Sequence, residues 1–215
     1  MKIEVLTVGP LEENCYLLID ESTNRAVLID PGDEPARILA ALRATGALLE
    51  SIWLTHAHFD HVGGLAGVVR AHPVPVHLHP MDAPLYGVAV DSALRYGIRI
   101  EQPPATDREL AEGDTLKVGS EELSVMHVPG HAPGHVAFYN DQVIFGGDCL
   151  FAGSIGRTDL PYGDRELLDS SVARLIALGD ERTLYPGHGP TTTIGRERRT
   201  NPFVIGSARL VRLKR

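Results

Sequence analysis

Cysteine is nearly absent from this sequence, with only Cys15 and Cys149 in 215 residues. Two thiols cannot make a disulfide framework, so a reducing compartment is the expected home. Positive charge is in deficit, 20 Lys+Arg against 28 Asp+Glu for a net charge of −8. A protein that grips phosphate backbones needs many basic contacts, so no nucleic-acid partner is expected. The basic residues Arg209, Arg212, Lys214 and Arg215 form a short run, expected to be a solvated tail. Long apolar stretches are missing: none approaches the ~18 residues of a membrane span. The opening Met1-Lys2-Ile3-Glu4 has no signal-peptide core either. These absences point to a soluble, cytoplasmic protein with no membrane partner, a monomer or small homo-oligomer.

The 43% hydrophobic and 22% charged fractions are those of a globular chain. With no repeat, low-complexity tract or linker, one domain over residues 1–215 is expected. Short β-branched runs bounded by turn residues predict strands at Ile3 to Val8, Cys15 to Ile19, Ala26 to Ile29, Ile52 to Thr55 and Val74 to Leu78. Four more follow at Leu123 to Val128, Val136 to Tyr139, Gln142 to Phe145 and Thr183 to Tyr185. Asn140-Asp141 reads as a tight hairpin, because both residues tolerate positive φ. Helical spacing predicts helices over Glu34 to Thr45, ended by Gly46, over Val62 to Ala71, and over Arg165 to Leu178, capped by Asp164. Hairpin-rich strands followed by helix-strand alternation make a layered α/β protein.

Ten histidines and 22 glycines are many, and they cluster. The run Thr55-His56-Ala57-His58-Phe59-Asp60-His61 follows the apolar Ile52-Trp53-Leu54. In an extended segment residues two apart share a side, so His56 and His58 can face one ion. Asp60 continues that series while His61 points elsewhere, so these two could serve a second ion. Three Gly-rich turns after predicted strands offer further donors: His131 in Pro129-Gly130-His131, Asp148 in Gly146-Gly147-Asp148, and His188 in Pro186-Gly187-His188. Imidazole and carboxylate without thiolate suit zinc, and also iron or manganese. Water on such an ion falls from pKa ~15.7 to about 7, about 12 kcal/mol in the cost of hydroxide.

These motifs resemble the metallo-β-lactamase superfamily, and within it the small glyoxalase II-like hydrolases. The resemblance rests on Asp30-Pro31-Gly32, THAHFDHVGG at 55–64, PGHAPGH at 129–135, GGDCLF at 146–151, GRTDLP at 156–161 and PGHGPTT at 186–192. It implies an αββα sandwich, two mixed sheets face to face with helices outside. It further implies two divalent ions, zinc before iron or manganese. His56, His58 and His131 would hold the first, and Asp60, His61 and His188 the second. Asp148 and a hydroxide would bridge them, with Asp60 and Asp148 serving catalysis.

The implied activity is hydrolysis of a small-molecule thioester such as S-lactoylglutathione or a related hydroxyacyl-thiol. Alternatives within the superfamily are a mononuclear-iron persulfide dioxygenase, using His56, His131 and Asp148, and a lactone, β-lactam or other ester hydrolase. The stretch after His188 is shorter than the helical C-terminal region with which full-length glyoxalase II grips glutathione. By the resemblance Arg157 would contact the thiol carrier, and pairing with Asp159 or Asp164 is its competing role. Asp30 is a candidate for orienting a metal-binding histidine. Among the other histidines, His77 and His79 read as rim or surface, His72 as helix-terminal, His127 as structural and His135 as a loop brace. Cys15 and Cys149 read as buried apolar thiols.

Overall fold

The computed structural model describes residues 1–206; Arg209, Arg212, Lys214 and Arg215 lie outside the described residues. The chain opens with an antiparallel meander of β1 (Lys2–Val8), β2 (Glu13–Asp20) and β3 (Arg25–Ile29). It continues through α1 (Pro35–Thr45) into β4 (Leu48–Trp53), which pairs parallel to β3. The short helices α2 (Phe59–Val62) and α3 (Leu65–Ala71) lead to β5 (Val76–Leu78). A 3-10 turn at Pro80–Asp82, then α4 (Ala83–Gly87) and α5 (Ala89–Arg95), precede β6 (Arg108–Glu109). The first sheet thus runs β1-β2-β3-β4-β5-β6.

The second sheet is built from β7 (Thr115–Val118), β8 (Glu121–His127), β9 (Val136–Tyr139) and β10 (Val143–Gly147). A small ribbon of β11 (Leu150–Phe151) and β12 (Ser154–Ile155) and the long helix α6 (Arg165–Ala177) then lead to β13 (Thr183–Pro186). β14 (Thr192–Thr193) and α7 (Ile194–Thr200) complete the described chain. The strand order is β14-β13-β10-β9-β8-β7, parallel between β10 and β13 and antiparallel elsewhere.

Every residue of β2 is buried, which a strand achieves only when both its faces are covered. Tyr16 and Leu18 pack with Val27, Ile29 and Trp53 against Val125, Val136, Phe138 and Phe145 of the second sheet. Cys15, Leu17 and Ile19 point the other way, onto Ile38 and Leu42 of α1 and Leu65 and Val68 of α3. The outer face of the second sheet, with Ala137, Ile144 and Leu184, is covered by Leu168, Val172 and Leu175 of α6 and Ile194 of α7. Alternation along each strand therefore produces four layers, helix, sheet, sheet, helix, as expected.

All nine expected strands are present. Asp164 caps α6, accepting from the Glu166 and Leu167 amides, and Gly46 ends α1 in the left-handed region. The expected single helix over Val62 to Ala71 is instead two, broken at Gly63-Gly64. The 140–141 hairpin forms without positive φ at either residue: Asn140 Oδ1 accepts from the amides of Gln142 and Val143 at 2.9 and 3.0 Å. The strands β6, β7, β11, β12 and β14 were not expected, being two to four residues long and lying at sheet edges or in the small β11-β12 ribbon. Among the described residues no helix is long and apolar enough to cross a membrane.

Asp20 ties the two sheets at one end of β2. Its carboxylate accepts from the amide and hydroxyl of Ser120, both at 2.7 Å, and from Ser22 and Thr23. These donors, led by the Ser120 amide, hold its carboxyl well below the usual range. Because the folded value lies below the unfolded ~3.9, the stabilisation is complete above that pH and is lost as pH falls below it. Asp20→Asn is expected to lower the urea midpoint at pH 7 and to flatten its decline between about pH 4 and 2. An unchanged acid limb would remove Asp20 from this role.

Candidate metal centre

The donors sit at the ends of four strands from both sheets. The His56-to-His61 run follows β4, His131 follows β8, Asp148 follows β10 and His188 follows β13. Loops at strand ends are free to carry polar groups that the buried strands cannot. Here they meet at the seam between the sheets. Asn14 of β2 fastens the last loop: its amide donates to the Gly187 carbonyl at 2.7 Å, and its side chain donates to the carbonyls of Pro186 and Gly189.

Three groups of nitrogen and oxygen donors result, one of which, Asp30 with His56 and His61, has its carboxylate already engaged by Thr55 and His61. One ligand atom from each of His56, His58 and His131 lies within 4.8 Å of the others, and the same holds for Asp60, His61 and His188. Asp148 stands between them, with Oδ2 3.4 Å from His131 Nε2 and 3.6 Å from His188 Nε2, and Oδ1 3.4 Å from His61 Nε2. The seven expected donors are thus brought together. The alternation argument holds only as far as His58, because α2 begins at Phe59. It is the helical turn that carries Asp60 and His61 together towards His188.

The far side of four of the five rings is tied down, His58 being the exception. His61 Nδ1 donates to Asp30 Oδ2 at 3.0 Å, His131 Nδ1 to the Arg157 carbonyl at 2.8 Å, and His188 Nδ1 to the Leu11 carbonyl at 3.0 Å. Thr55 spends its one hydroxyl proton on Asp30 Oδ2 at 2.6 Å and so accepts from His56 Nδ1 at 3.0 Å. Each bond orients its ring with Nε2 facing inward. Asp30 also accepts from the Thr55 amide at 2.7 Å, so one carboxylate holds His61 and the strand end that bears His56.

A cation suits this arrangement on the structure's own terms. His56 Nε2, His61 Nε2 and Asp148 Oδ1 are buried with no hydrogen-bond partner. His58 Nδ1 and His131 Nε2 face each other at 2.8 Å, although His131 already donates through its other nitrogen. Orphaned buried polar atoms are costly, and all those among the described residues belong to this cluster or to Glu13 and His135 beside it. Burial pushes His56 well down, assisted by His61 and His58, and burial with His131 pushes His58 down to about 3. Both are therefore held neutral, as a metal ligand must be. Burial alone would raise Asp148, but His61, His131 and His188 outweigh it and hold the carboxyl well below its usual range. Gly187 allows the loop to pass this close: a Cβ there would strike Asp148 Oδ1 and come within 2.8 Å of His61 Cε1.

The surrounding residues sort themselves. His135 accepts from the Asp148 amide at 2.9 Å, a loop brace. His127 stacks on His79 with ring centres 4.3 Å apart and contacts the Pro133 carbonyl. His79 is buried rather than on the rim, because it caps the 3-10 turn, accepting from the Met81 amide. His77 is half-buried and His72 ends α3. Cys15 and Cys149 are free and buried, Cys149 in the apolar layer under α6. Arg157 is exposed and pairs bidentately with Asp159, both contacts at 2.7 Å, while Asp164 caps α6. Tyr16 and Tyr86 are buried and donate to the Pro186 and Pro104 carbonyls. Tyr96 is exposed and packs on Phe59 at 5.3 Å, beside Asp60. Glu13 and Asp82 were not anticipated as parts of the site; it is their burial that distinguishes them.

Residues 8–188 match the model of the metallo-beta-lactamase superfamily. The hydroxyacylglutathione hydrolase GloC of Haemophilus influenzae is 38% identical over 95% of this chain and 98% of its own. The structure of TTHA1623 in a di-iron-bound form superposes with a TM-score of 0.87 at 50% identity, covering 93% of this chain and 99% of that one. That of the B3 metallo-beta-lactamase BLEG-1 has a TM-score of 0.88 at 36% identity, covering 94% and 99%. With its four layers, its seam-borne donors and a family match over most of its length, the chain belongs to the metallo-beta-lactamase superfamily.

Proposed function

We propose that this chain is a two-metal thioester hydrolase of glyoxalase II type, acting on S-lactoylglutathione or a related hydroxyacyl-thiol. The observation that carries the reading is the single carboxylate, Asp148, placed between two complete donor groups. On this reading His56, His58 and His131 would hold one ion and Asp60, His61 and His188 the other, with Asp148 placed to serve as a ligand beside them. Zinc is proposed; imidazole and carboxylate donors also suit iron, and TTHA1623 is known in a di-iron-bound form. Ions so held would supply water of lowered pKa and polarise the scissile carbonyl.

The chain's own residues do the rest. Asp30, Thr55, and the Arg157 and Leu11 carbonyls fix the imidazoles before any substrate arrives, so little reorganisation is left to the reaction. Asp60 is kept ionised against its burial by His188 and His61, the state a metal ligand requires. Phe59 and Tyr96 form an aromatic wall next to it. A carboxylate-bearing thiol would meet the Arg157 guanidinium by exchanging with Asp159. GloC, the Haemophilus relative, supports the thioester among the carbonyl substrates this superfamily accepts.

Three outcomes are expected. Purified protein of measured metal content should release thiol from S-lactoylglutathione with about two metals per chain. Oxygen uptake on glutathione persulfide with one iron and no thiol release would transfer the chain to the dioxygenase reading, and turnover confined to lactones or β-lactams would replace the thioester. Asp30→Ala should lower metal content towards one per chain and cut activity about 10–100-fold, as loss of the group orienting a ligand does; two tightly held metals in that variant would refute its role. Arg157→Ala spares the backbone carbonyl that holds His131. It should raise KM for S-lactoylglutathione about two- to fivefold with kcat unchanged, the scale of an exposed charge pair.

A further inference from the structure

Asp82 ends the 3-10 turn after β5 and is fully buried, yet it takes no part in either donor group. Its two carboxylate oxygens point at two different loops. Oδ2 accepts from the Ala57 amide at 2.8 Å, and Ala57 stands between His56 and His58. Oδ1 accepts from the Gly134 amide at 2.5 Å, and Gly134 lies between His131 and His135. Burial pushes this carboxyl up to about 6 in spite of both amides. A side chain so costly to bury is held by those two donors, and they in turn are held by it.

The loops it joins come from opposite sheets, one after β4 and the other after β8. Gly134 sits so close to the turn that a Cβ there would come within 2.7 Å of the Asp82 amide nitrogen and 2.9 Å of Oδ1. The next residue, His135, accepts from the Asp148 amide at 2.9 Å and stacks on His56 at 4.8 Å. A single carboxylate is therefore linked to the backbone of the His56-Ala57-His58 run, to the His131 loop, and through His135 to Asp148.

We propose that Asp82 is a positioning residue that clasps the two loops of the His56, His58 and His131 group into ligating register. It is expected to govern the affinity of that group for its metal more strongly than that of the Asp60, His61 and His188 group, since its two amide partners lie beside His56, His58 and His131, whereas Asp60 and His61 stand further along the same run and the His188 loop makes no hydrogen bond to it. The inference rests on the metal-centre reading above, though not on the thioester. Asn at position 82 keeps the shape but sets an NH2 against one of the two amides, whereas Ala at position 134 keeps the carboxylate and prises the loop off it.

The test uses full-length protein in two backgrounds, His188→Ala, which cripples the second group, and His131→Ala, which cripples the first. Zinc dissociation constants are measured by competition with a chromophoric chelator, and folding is checked by circular dichroism. Asp82→Asn is expected to weaken zinc about tenfold in the His188→Ala background and by less than twofold in the His131→Ala background. Gly134→Ala should repeat that asymmetry, and it decides the matter if Asp82→Asn does not fold. Equal weakening in both backgrounds would make Asp82 a general stabiliser, and no weakening in either would remove the clasp; each overturns the proposal. Wild-type protein that binds no zinc, iron or manganese would overturn the metal-centre reading and the clasp with it.

Discussion

Crowding five imidazoles and two carboxylates into one buried pocket is the constraint to which the rest of this molecule answers. Left to itself such a pocket would be ruinous, because buried charges and orphaned lone pairs carry large desolvation costs. The fold meets the cost from outside the pocket. Asp30, Thr55, the Arg157 and Leu11 carbonyls and the Asp148 amide on His135 each satisfy the far side of a group whose near side is left open. Of what remains unsatisfied, His56 Nε2, His61 Nε2 and Asp148 Oδ1 belong to the donor cluster itself. Such an arrangement is unfavourable as a core and favourable as a cation site.

The two sheets contribute differently to this. The first delivers His56 and His58 from a strand and Asp60 and His61 from the helical turn that follows it. The second delivers single residues, His131, Asp148 and His188, from three separate strand ends. Neither sheet alone presents a complete set for either group. The apolar layer between the sheets, with Trp53 on Phe138 and Tyr16 on Phe145 at 5.3 and 5.2 Å, is therefore also the spacer that sets the distance between donors.

Much of this could be read from residue order because the relevant signals are local. Strand runs such as Ala26 to Ile29 are apolar and bounded by turn residues, and His56, His131, Asp148 and His188 each stand in a short motif with its own glycines. The signals that failed were those settled by tertiary contact. Asp60 and His61 depend on a four-residue helix too short to show periodicity. His79 looked like a rim residue because its alternation with His77 continues past the end of β5, where the chain turns inward. Glu13 and Asp82 are acidic residues with nothing local to mark them, and only the packed structure shows that both are buried against the donor cluster.

The bond from Asn14 to the Gly187 loop joins positions near opposite ends of the described chain. While the polypeptide is being made, the His56-to-His61 run is complete long before the strand that carries His188 exists. Loop-closure entropy makes so distant a pairing slow to form. The first donors therefore exist before the residues that complete either group with them. During synthesis the cluster stays incomplete until the last of its strands has been made, and the Asn14 contacts that close it must wait for the same segment.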